Sequence, residues 1–222
     1  LPISDKAKTH YLRALELDPK QARTHMNLGS LYWQEGKREN AITHYEQAID
    51  LDEEFAEAYV YLGQAMHFLG RIDDALRCGE TAVRLEPSSA TGHLNFGRTL
   101  LANGRIEEAI FHFREAITLN GRLAEAYENY AYSRRVDAGD TFSDDLHAAL
   151  AERGWSDGER ARLLYAAGKV ADDRGNHDAA MTHWIEGARL RRKSTKFNIA
   201  ASRKQFAGYQ AVFDTTLFES RL

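Results

Sequence analysis

The sequence repeats itself every 34 residues. Three strings, NAITHYEQAIDLD, DALRCGETAVRLE and EAIFHFREAITLN, begin at Asn40, Asp74 and Glu108 and align without gaps. A fourth string, AKTHYLRALELDP, begins at Ala7 and keeps the same phase. A fixed period of this length predicts a solenoid, in which each unit packs only against its neighbours. Because a solenoid displays an extended surface, we expect a binding groove rather than an enclosed active site.

Each repeat carries the pattern of two helices. The second half of each repeat has three positions that fall on one helix face. They hold a small residue, then a ring or a glycine, then another small residue. In its first half, a large residue precedes a glycine or alanine; a helical glycine costs about 1 kcal/mol, so we expect it to permit close helix contact. Gly36, Gly70 and Gly104 fall between the halves, where a left-handed helix cap is expected. The second-half positions are Ala7, Tyr11, Ala14, Ala41, Tyr45, Ala48, Ala75, Gly79, Ala82, Ala109, Phe113 and Ala116, and the first-half pairs are Leu28–Gly29, Leu62–Gly63, Phe96–Gly97 and Tyr130–Ala131.

These positions together resemble the tetratricopeptide repeat, a helix–turn–helix unit. The resemblance implies an all-α fold, a right-handed α-solenoid (superhelix) of about six units closed by a C-terminal capping helix. The first unit lacks its first helix. Two residues depart from the pattern: Gly79 replaces the ring of the other copies, and Arg134 stands where an inward-pointing Tyr or Leu is expected.

The period breaks after Ala131 and returns at Gly168, 37 residues later. Between them we expect a short helix over residues 143–153, flanked by turns, and the last unit carries an enlarged ring at Trp184. We therefore divide the chain into regular units over residues 1–136, divergent units over 137–192, and a capping helix or linker over 193–222. The capping helix is expected near residues 199–214.

A narrower resemblance covers the string LLYAAGKVADDRGNHDAAMTHWIEGARLRR, from Leu163 to Arg192. It is similar to the segment that precedes the catalytic domain in bacterial sulfotransferase-like proteins carrying tetratricopeptide repeats. In that family a Gly-rich phosphosulfate-binding loop follows such a helix, and no such loop occurs before Leu222. The resemblance implies an alternative function, an accessory domain that orients a substrate for an enzyme whose catalytic domain is absent from this sequence.

Composition narrows the functional classes. The formal net charge of −4 argues against a general nucleic-acid binder, and the absence of a long apolar run predicts no membrane span. A single cysteine, Cys78, excludes an internal disulfide and favours a reducing, cytoplasmic location. Basic residues gather near the end of the chain, where they either complement a helix dipole or contact an acidic partner. They are Arg189, Arg191, Arg192, Lys193, Lys196, Arg203 and Lys204.

One repeat position is held by four histidines and the cysteine. Equivalent residues of successive units lie two helices apart, which is too far for them to share a zinc ion. We interpret the position as a half-buried contact between helices, in which a histidine of the first helix can pair with one of the second. The position comprises His10, His44, Cys78, His112 and His183, and the expected pairs are His25 with His44 and His93 with His112.

Three pairs of adjacent carboxylates are the remaining candidates for catalysis. Neighbouring residues on a helix diverge by about 100°, so adjacent carboxylates do not form a catalytic dyad. The sequence also contains no nucleophile elbow, phosphate loop or zinc-protease motif. We expect no catalysis, no metal and no cofactor. The pairs are Asp73–Asp74, Asp144–Asp145 and Asp172–Asp173.

In tetratricopeptide arrays the first helix of each unit lines the concave face. One position there holds Asn27, Tyr61, Asn95 and Asn129, which resembles the asparagine ladder in the repeat domain of O-GlcNAc transferases. Asparagine both donates and accepts hydrogen bonds, so a ladder can pair with the main chain of an extended peptide; the alternative is that it only ties helices together. We expect the flanking positions to be exposed and their apolar members to contact the ligand. These are Met26, Val60, Leu94 and Glu128; Ser30, Gln64, Arg98 and Tyr132; and Trp33, His67, Leu101 and Arg135.

The predicted function is a non-catalytic scaffold that binds a protein or an extended peptide in the concave groove. Tetratricopeptide domains that hold the C-terminal carboxylate of chaperones use Lys or Arg with Asn. Here the matching positions hold Met26 and Ser30, and Arg98 alone would not clamp a carboxylate. Self-assembly into a homo-oligomer through the terminal repeats is a third alternative, because a unit without its first helix exposes apolar faces.

Overall fold

The computed structural model describes residues 3–194, and the side chains of residues 6–193. This part of the chain consists of eleven helices and contains no strand, which confirms the all-α prediction. The helices are α1 (Ile3–Leu17), α2 (Ala22–Gln34), α3 (Arg38–Leu51), α4 (Ala56–Phe68), α5 (Ile72–Leu85), α6 (Ala90–Ala102), α7 (Ile106–Leu119), α8 (Ala124–Ser133), α9 (Phe142–Ala151), α10 (Asp157–Asp173) and α11 (His177–Ser194).

The helices pair into units in the predicted order. The pairs α2–α3, α4–α5, α6–α7 and α10–α11 have the closest contacts in the chain. We call the first helix of each unit (α2, α4, α6, α8, α10) an A helix, and the second (α1, α3, α5, α7, α9, α11) a B helix. With α1 as the second half of a first unit, A and B helices alternate along the chain as expected, but α8 packs mainly against α10 rather than against α9. The predicted capping helix near 199–214 lies outside the described residues.

A glycine of the A helix faces an aromatic ring of the B helix in the same unit. A Cβ atom on Gly29 would lie 2.7 Å from Cε1 of Tyr45, and a Cβ atom on Gly97 would lie 2.7 Å from Cε1 of Phe113. Both rings are buried and cannot move aside. These distances confirm that the helical glycines permit close contact between the two helices of a unit.

The unit that contains Gly79 achieves the same packing with a ring from a different helix. A Cβ atom on Gly79 would lie 2.5 Å from Cδ2 of Phe96, which belongs to the following A helix. The equivalents of Phe96 in the two preceding units are Leu28 and Leu62. The enlarged side chain of Phe96 therefore fills the volume that Gly79 leaves empty, as close packing of the interior requires.

The turns from A to B helices share one geometry. Gly36, Gly70 and Gly104 have φ angles of 78°, 74° and 80°, as the predicted left-handed cap requires. The next residue donates its backbone N–H to a carbonyl in the last turn of the A helix, for example Lys37 to Tyr32 at 2.9 Å. This bond satisfies a carbonyl that the helix end would otherwise leave free.

The repeat is interrupted because α8 has 10 residues, whereas α4 and α6 have 13 each. Arg134 follows α8 with an extended backbone, so Arg135 does not continue the groove face as predicted. The connection to α9 is held against α10 instead. The Val136 N–H donates to Oδ2 of Asp173 at 3.0 Å, and Arg174 donates to the Asp137 carbonyl at 2.9 Å. Helix α9 confirms the short helix expected over 143–153, with nearly the same bounds.

The A helices form the inner layer of the stack. Helix α6 contacts α4 and α8, and α8 contacts α10. Successive B helices within the described part make no contacts of similar extent. Because the A helices lie closer together, they line the concave side and the B helices line the convex side. The predicted groove positions therefore belong to the concave layer.

We predict that Gly97→Ala destabilises the protein by about 1–3 kcal/mol, because the added Cβ atom overpacks the buried ring of Phe113. Urea unfolding followed by circular dichroism would measure the change. Gly158→Ala is the matched control. A Cβ atom at Gly158 meets no atom within 4 Å, so alanine there should leave stability unchanged or raise it by up to about 1 kcal/mol. Equal stability of Gly97→Ala and the wild type would contradict the proposed role of the glycine–ring contact.

Candidate functional site

The predicted ladder lies on successive A helices. Asn27 is on α2, Tyr61 on α4, Asn95 on α6 and Asn129 on α8, and all four side chains are half-buried. Half-burial fits a groove lining, because the side chains contact neighbouring helices while part of each remains accessible.

The flanking apolar residues are less accessible than predicted. Met26, Val60 and Leu94 are buried, with exposed fractions of 3%, 8% and 4%, so the expectation that they are exposed is wrong. Met26 and Leu94 belong to the hydrophobic core, because the inward tilt of each A helix turns this position into the stack. The equivalent Glu128 stays half-exposed and forms an ion pair with Arg162.

The remaining flanking residues divide between lining and structure. Trp33, Gln64, His67 and Arg98 are half-buried and lie together, as described below. Leu101 packs against the core, and Tyr132 is exposed. The Ser30 hydroxyl donates to the carbonyl of Met26 in its own helix at 3.2 Å. Ser30 therefore offers little to a ligand.

The amides of the ladder are not equivalent. Nδ2 of Asn129 donates to the Glu125 carbonyl of its own helix at 2.8 Å, as the alternative structural interpretation requires. Nδ2 of Asn95 is buried and has no hydrogen-bond partner among the described residues. The described structure also shows no side-chain hydrogen bond at Asn27. Tyr61 stacks on Tyr45 with ring centroids 5.8 Å apart. Two of the three asparagines, Asn27 and Asn95, thus have no hydrogen-bond partner for their amides among the described residues, and the amide nitrogen of Asn95 is itself enclosed.

A cavity of about 260 Å³ opens on the concave face between α2, α4 and α6. One side is aromatic, because the rings of Trp33 and Phe68 meet edge to face with centroids 5.4 Å apart. The guanidinium of Arg38 lies 4.0 Å from the centroid of Trp33 and 5.0 Å from that of Phe68. The repeat gives no signal for Phe68, since its equivalents are Gln34 and Ala102. The cavity is lined by Trp33, Gln64, His67, Phe68, Asn95, Arg98 and Thr99.

The other side of this cavity is polar. The Thr99 hydroxyl donates its proton to the Asn95 carbonyl at 3.1 Å, so Nδ1 of His67, 3.3 Å from the hydroxyl oxygen, is the donor in that contact. Burial and the charge of Arg98 lower the pKa of His67, which favours the neutral ring with Nε2 as an acceptor. Arg98 itself forms an ion pair with Glu125 at 3.2 Å.

A second, acidic cavity of about 280 Å³ lies at the other end of the same inter-helix space. It is reached along α4 past Tyr61, and Glu57 and Glu86 contribute its carboxylates. The groove between α4 and α6 therefore changes from acidic at the helix N-termini to cationic and aromatic at the C-termini. A ligand across this groove meets both donors and acceptors.

The predicted histidine pairs form in both units. Nδ1 of His25 lies 3.0 Å from Nδ1 of His44, and Nδ1 of His93 lies 2.8 Å from Nδ1 of His112. In each pair, Nε2 of the A-helix histidine contacts a proline carbonyl, that of Pro19 or of the corresponding residue two units later. A carbonyl only accepts, so Nε2 carries the proton and, in the neutral pair, the B-helix histidine donates from Nδ1.

These pairs connect the two helices of a unit. Burial, then the neighbouring histidine, lowers the pKa of His44, and the same causes lower that of His112 to about 4. No group of three metal ligands occurs among the described residues. Burial raises the pKa of Cys78, which holds the same position, to about 11, so the thiol stays protonated. His10 is exposed, because α1 lacks its A helix.

The adjacent carboxylates take part in separate ion pairs. Asp74 pairs with Arg71 and Arg77 on its own helix. Asp145 pairs with Arg114 of α7 at 2.6 Å. The last pair divides between two cations, with Asp172 bonded to His177 and Asp173 to Lys169. Four of the six carboxylates, Asp74, Asp145, Asp172 and Asp173, thus have a structural partner.

The basic segment begins on α11. Arg189, Arg191, Arg192 and Lys193 are exposed near its C-terminus, where cations complement the helix dipole. Lys193 lies 3.9 Å from Asp157. Lys196, Arg203 and Lys204 lie outside the described residues. Across residues 3–194, no helix is both long enough and apolar enough to span a bilayer.

Family comparison accounts for the repeats. A family model described as "TPR repeat" matches residues 5–36 and 29–70, and one described as "Tetratricopeptide repeat" matches residues 68–132. Together they span more than half of the chain. No curated protein matches the sequence.

Solved structures share the fold at low sequence identity. YrrB, described as a TPR protein with an unusual peptide-binding site, is 19% identical, with 81% of this chain and 91% of that chain covered and a TM-score of 0.60. The pilF protein of Pseudomonas aeruginosa is 20% identical, with 84% of each chain covered and a TM-score of 0.67. The first TPR of Spaghetti (RPAP3), bound to the HSP90 peptide SRMEEVD, is 22% identical, with 52% of this chain and 92% of that chain covered and a TM-score of 0.50.

We predict that the histidine pairs make the fold sensitive to acid. Because folding lowers the pKa of His112, its neutral form is favoured in the folded state. This stabilisation is complete above about pH 6.5 and is lost as the pH falls from there towards 4. Between pH 7.5 and 5 we expect a loss of about 1 kcal/mol from this pair, after allowance for its partial exposure.

Urea unfolding of the wild type and of His112→Gln at both pH values measures this effect. Glutamine keeps a donor for His93 but does not titrate, so the variant should lose less stability between pH 7.5 and 5 than the wild type. His10→Gln, at the exposed equivalent position, should retain the full pH dependence. Identical pH dependence in His112→Gln and the wild type would show that the pair does not sense acid.

Proposed function

The chain belongs to the tetratricopeptide repeat family, and from this premise we propose that it is an interaction scaffold that binds an extended peptide segment of a partner protein. The segment lies across the A helices on the concave face. The amides of Asn27 and Asn95 contact its main chain, and the cavity beside Phe68 receives one of its side chains. No step of this binding requires catalysis or a cofactor.

The observation that carries the proposal is the unsatisfied amide of Asn95. A buried donor without a partner costs about 1–3 kcal/mol. Nδ2 of Asn95 has no partner in the described structure and belongs to a residue that lines the concave cavity. In our proposal the Asn95 side chain turns this enclosed amide towards the cavity that the residue lines. A peptide carbonyl then accepts its hydrogen bond, and binding removes the cost of the unsatisfied donor.

The aromatic wall supplies the apolar part of the interaction. Phe68 is 65% exposed although it is a large ring, and exposed rings beside a polar rim are typical of interaction surfaces. Arg38 packs on the rings of both Trp33 and Phe68, which limits the motion of the wall before a ligand binds. An apolar side chain inserted here would contact Phe68 while the polar side of the cavity stays hydrogen-bonded.

The similar structures support peptide binding as the class of function. YrrB is described as having an unusual peptide-binding site, and the RPAP3 repeat domain was determined with a bound peptide. Because their sequence identity to this chain is low, these structures show a shared fold and do not identify the ligand. Recognition of a C-terminal carboxylate is not part of our proposal, because Met26 is buried and Arg98 is already paired with Glu125.

The two alternatives have weaker support. The accessory role in a sulfotransferase-like protein rests on the resemblance of residues 163–192, and neither the matching family models nor the structures described above point to that enzyme class. Self-assembly rests on the partial first unit, and no described contact supports it. Peptide binding is the function that the groove geometry favours.

We predict that Asn27→Ala and Asn95→Ala each weaken peptide binding about tenfold, because each removes about 1–1.5 kcal/mol of hydrogen bonding to the ligand. The ligands are peptides selected against the whole chain from a random display library, and fluorescence anisotropy measures their affinity. Asn129→Ala is the matched control. Its amide is bonded within α8, so its affinity should stay within about twofold of wild type.

The same variants distinguish binding from folding. Asn95→Ala removes an unsatisfied donor, so its unfolding midpoint should equal or exceed that of the wild type. An Asn95→Ala variant that binds peptide with wild-type affinity, or failure of every library to yield a binding peptide, would contradict the proposed function.

We further predict that Phe68→Ala weakens binding of the selected peptides by about tenfold to a hundredfold, because an exposed ring loses its contact area with the ligand. The variant should fold normally, since most of this ring is solvent-exposed. Phe111→Ala is the matched control, because Phe111 is 58% exposed but lies on α7, in the convex layer. Isothermal titration calorimetry should show a loss for Phe68→Ala alone; equal affinities would place the binding surface elsewhere.

A further inference from the structure

A third cavity, on the convex side, arises from a change of residue size in the last unit. At two positions of the A helix the other units have large residues, and α10 has alanine at both. Ala167 replaces Leu28, Leu62, Phe96 and Tyr130, and Ala171 replaces Tyr32, Met66 and Leu100. The space that these large side chains would fill is open in the last unit, as a cavity of about 390 Å³ between α9, α10 and α11.

The alanines also uncover a histidine. In the second unit the ring of Tyr32 stacks on His44 with centroids 5.3 Å apart, and in the fourth unit the ring of Phe96 lies 4.7 Å from that of His112. His183 is the equivalent histidine on α11, and neither ring has a counterpart there. The partner histidine is also missing, because Leu164 occupies the position of His25 and His93.

His183 therefore lines the cavity with its hydrogen-bonding groups free. Among the described residues it forms no hydrogen bond, and it is half-buried beside Ala171. An imidazole carries at least one N–H in either tautomer, so the ring always offers a donor to the cavity. His147 lines the facing wall and donates from Nδ1 to the Ser143 carbonyl at 2.7 Å.

Arg174 gives the cavity a positive charge. Its guanidinium donates to the Asp137 carbonyl and the Ser143 hydroxyl, which are both neutral. Within residues 3–194 it forms no ion pair, and no carboxylate lines the cavity. Arg174 is exposed, so solvent partly screens its charge, but an anion that enters the cavity meets this cation without a competing carboxylate in the lining.

The floor is apolar, and the volume suits a small molecule. Leu146, Val170 and Ala179 line the cavity beside the two alanines, and Asn176 adds one further polar side chain. The volume falls within the range of ligand pockets, about 300–1,000 Å³. With about 30 Å³ for each water molecule in the liquid, it has room for about a dozen non-hydrogen atoms.

We propose that this cavity binds a small amphipathic anion, a molecule with an apolar body and one carboxylate or phosphate group. The body lies on Ala167, Val170 and Ala171, and the anionic group is held by Arg174 and the N–H of His183. The site is separate from the peptide groove, because it is lined by residues on and next to α9, α10 and α11, and no residue lines both cavities. Peptide binding and anion binding can therefore be tested independently.

The test uses phenylacetate, phenyl phosphate and the neutral phenylacetamide as probes, each titrated at millimolar concentration into the isotope-labelled whole chain and followed by NMR. We expect at least one anion to bind at least tenfold more tightly than the amide and to shift the resonances of His183, Ala167 and Ala171. The relative affinities of phenylacetate and phenyl phosphate then distinguish a carboxylate ligand from a phosphate ligand.

Three variants identify the site. Ala171→Leu introduces a leucine, as the fourth unit has at the equivalent position, Leu100. This side chain should fill the cavity, so that binding is lost while the fold is kept. Arg174→Gln and His183→Gln should each reduce anion affinity about tenfold without affecting the amide. Arg84→Gln, which changes an exposed arginine of α5 outside both cavities, is the matched control and should bind the anions as the wild type does.

Three results would overturn the proposal. The first is equal affinity for anions and amide, which would show that Arg174 does not select charge. The second is unchanged anion binding by Ala171→Leu, since that side chain would occupy the proposed volume. The third is a set of shifted resonances confined to the concave face. Because peptide affinity is measured separately, failure here leaves the proposed function of the groove untouched.

Discussion

The contact between a glycine and an aromatic ring sets the distance between the two helices of a unit. Gly29 lies against Tyr45, Gly97 against Phe113 and Gly168 against Trp184, and in each case a Cβ atom would overlap the ring. Close approach of the helices allows the short turns to close with a left-handed glycine. It also places the A helices near enough to form a continuous inner layer. The groove therefore depends on a packing contact that no ligand touches.

The ring in this contact can come from a different helix, as long as the same volume is filled. The position of Gly79 holds a ring in the other units, and here Phe96 supplies a ring from the neighbouring helix. In the last unit the exchange is incomplete. Trp184 is larger than the rings of the other units, but it fills the space above Gly168 and leaves the space above Ala167 and Ala171 open. A cavity results because the side chains at Ala167 and Ala171 are smaller than in the other units, while the larger ring of Trp184 fills a different space.

The sequence predicts those features that depend on contacts within one unit. The helical pairs, the glycine turns and both histidine pairs follow from residues at fixed spacings, so a single repeat contains enough information to place them. The burial of Met26, Val60 and Leu94 depends on how one unit rotates against the next, which the repeat pattern leaves open.

The polar contacts of the site were harder to predict for a different reason. The capture of the Asn129 amide by the Glu125 carbonyl depends on a side-chain rotamer. The wall made by Phe68 and Arg38 lies at positions where the other copies carry unrelated residues, so alignment of the repeats gives them no weight. In this chain the residues with unusual chemistry are those that depart from the repeat.

Under the proposed function, Asn27 and Asn95 would limit the length of peptide that the ladder holds. Asn27 and Asn95 belong to A helices two units apart, and packed helices have axes about 8–10 Å apart, so the amides are separated by about 16–20 Å. An extended chain advances about 3.3 Å per residue, and about five or six residues therefore span this distance. Asn129 does not lengthen the ladder, because its amide is already bonded. The ion pair between Arg98 and Glu125 joins α6 to α8 just beyond this span, so main-chain recognition ends at α6, and any longer ligand must rely on side-chain contacts with α8.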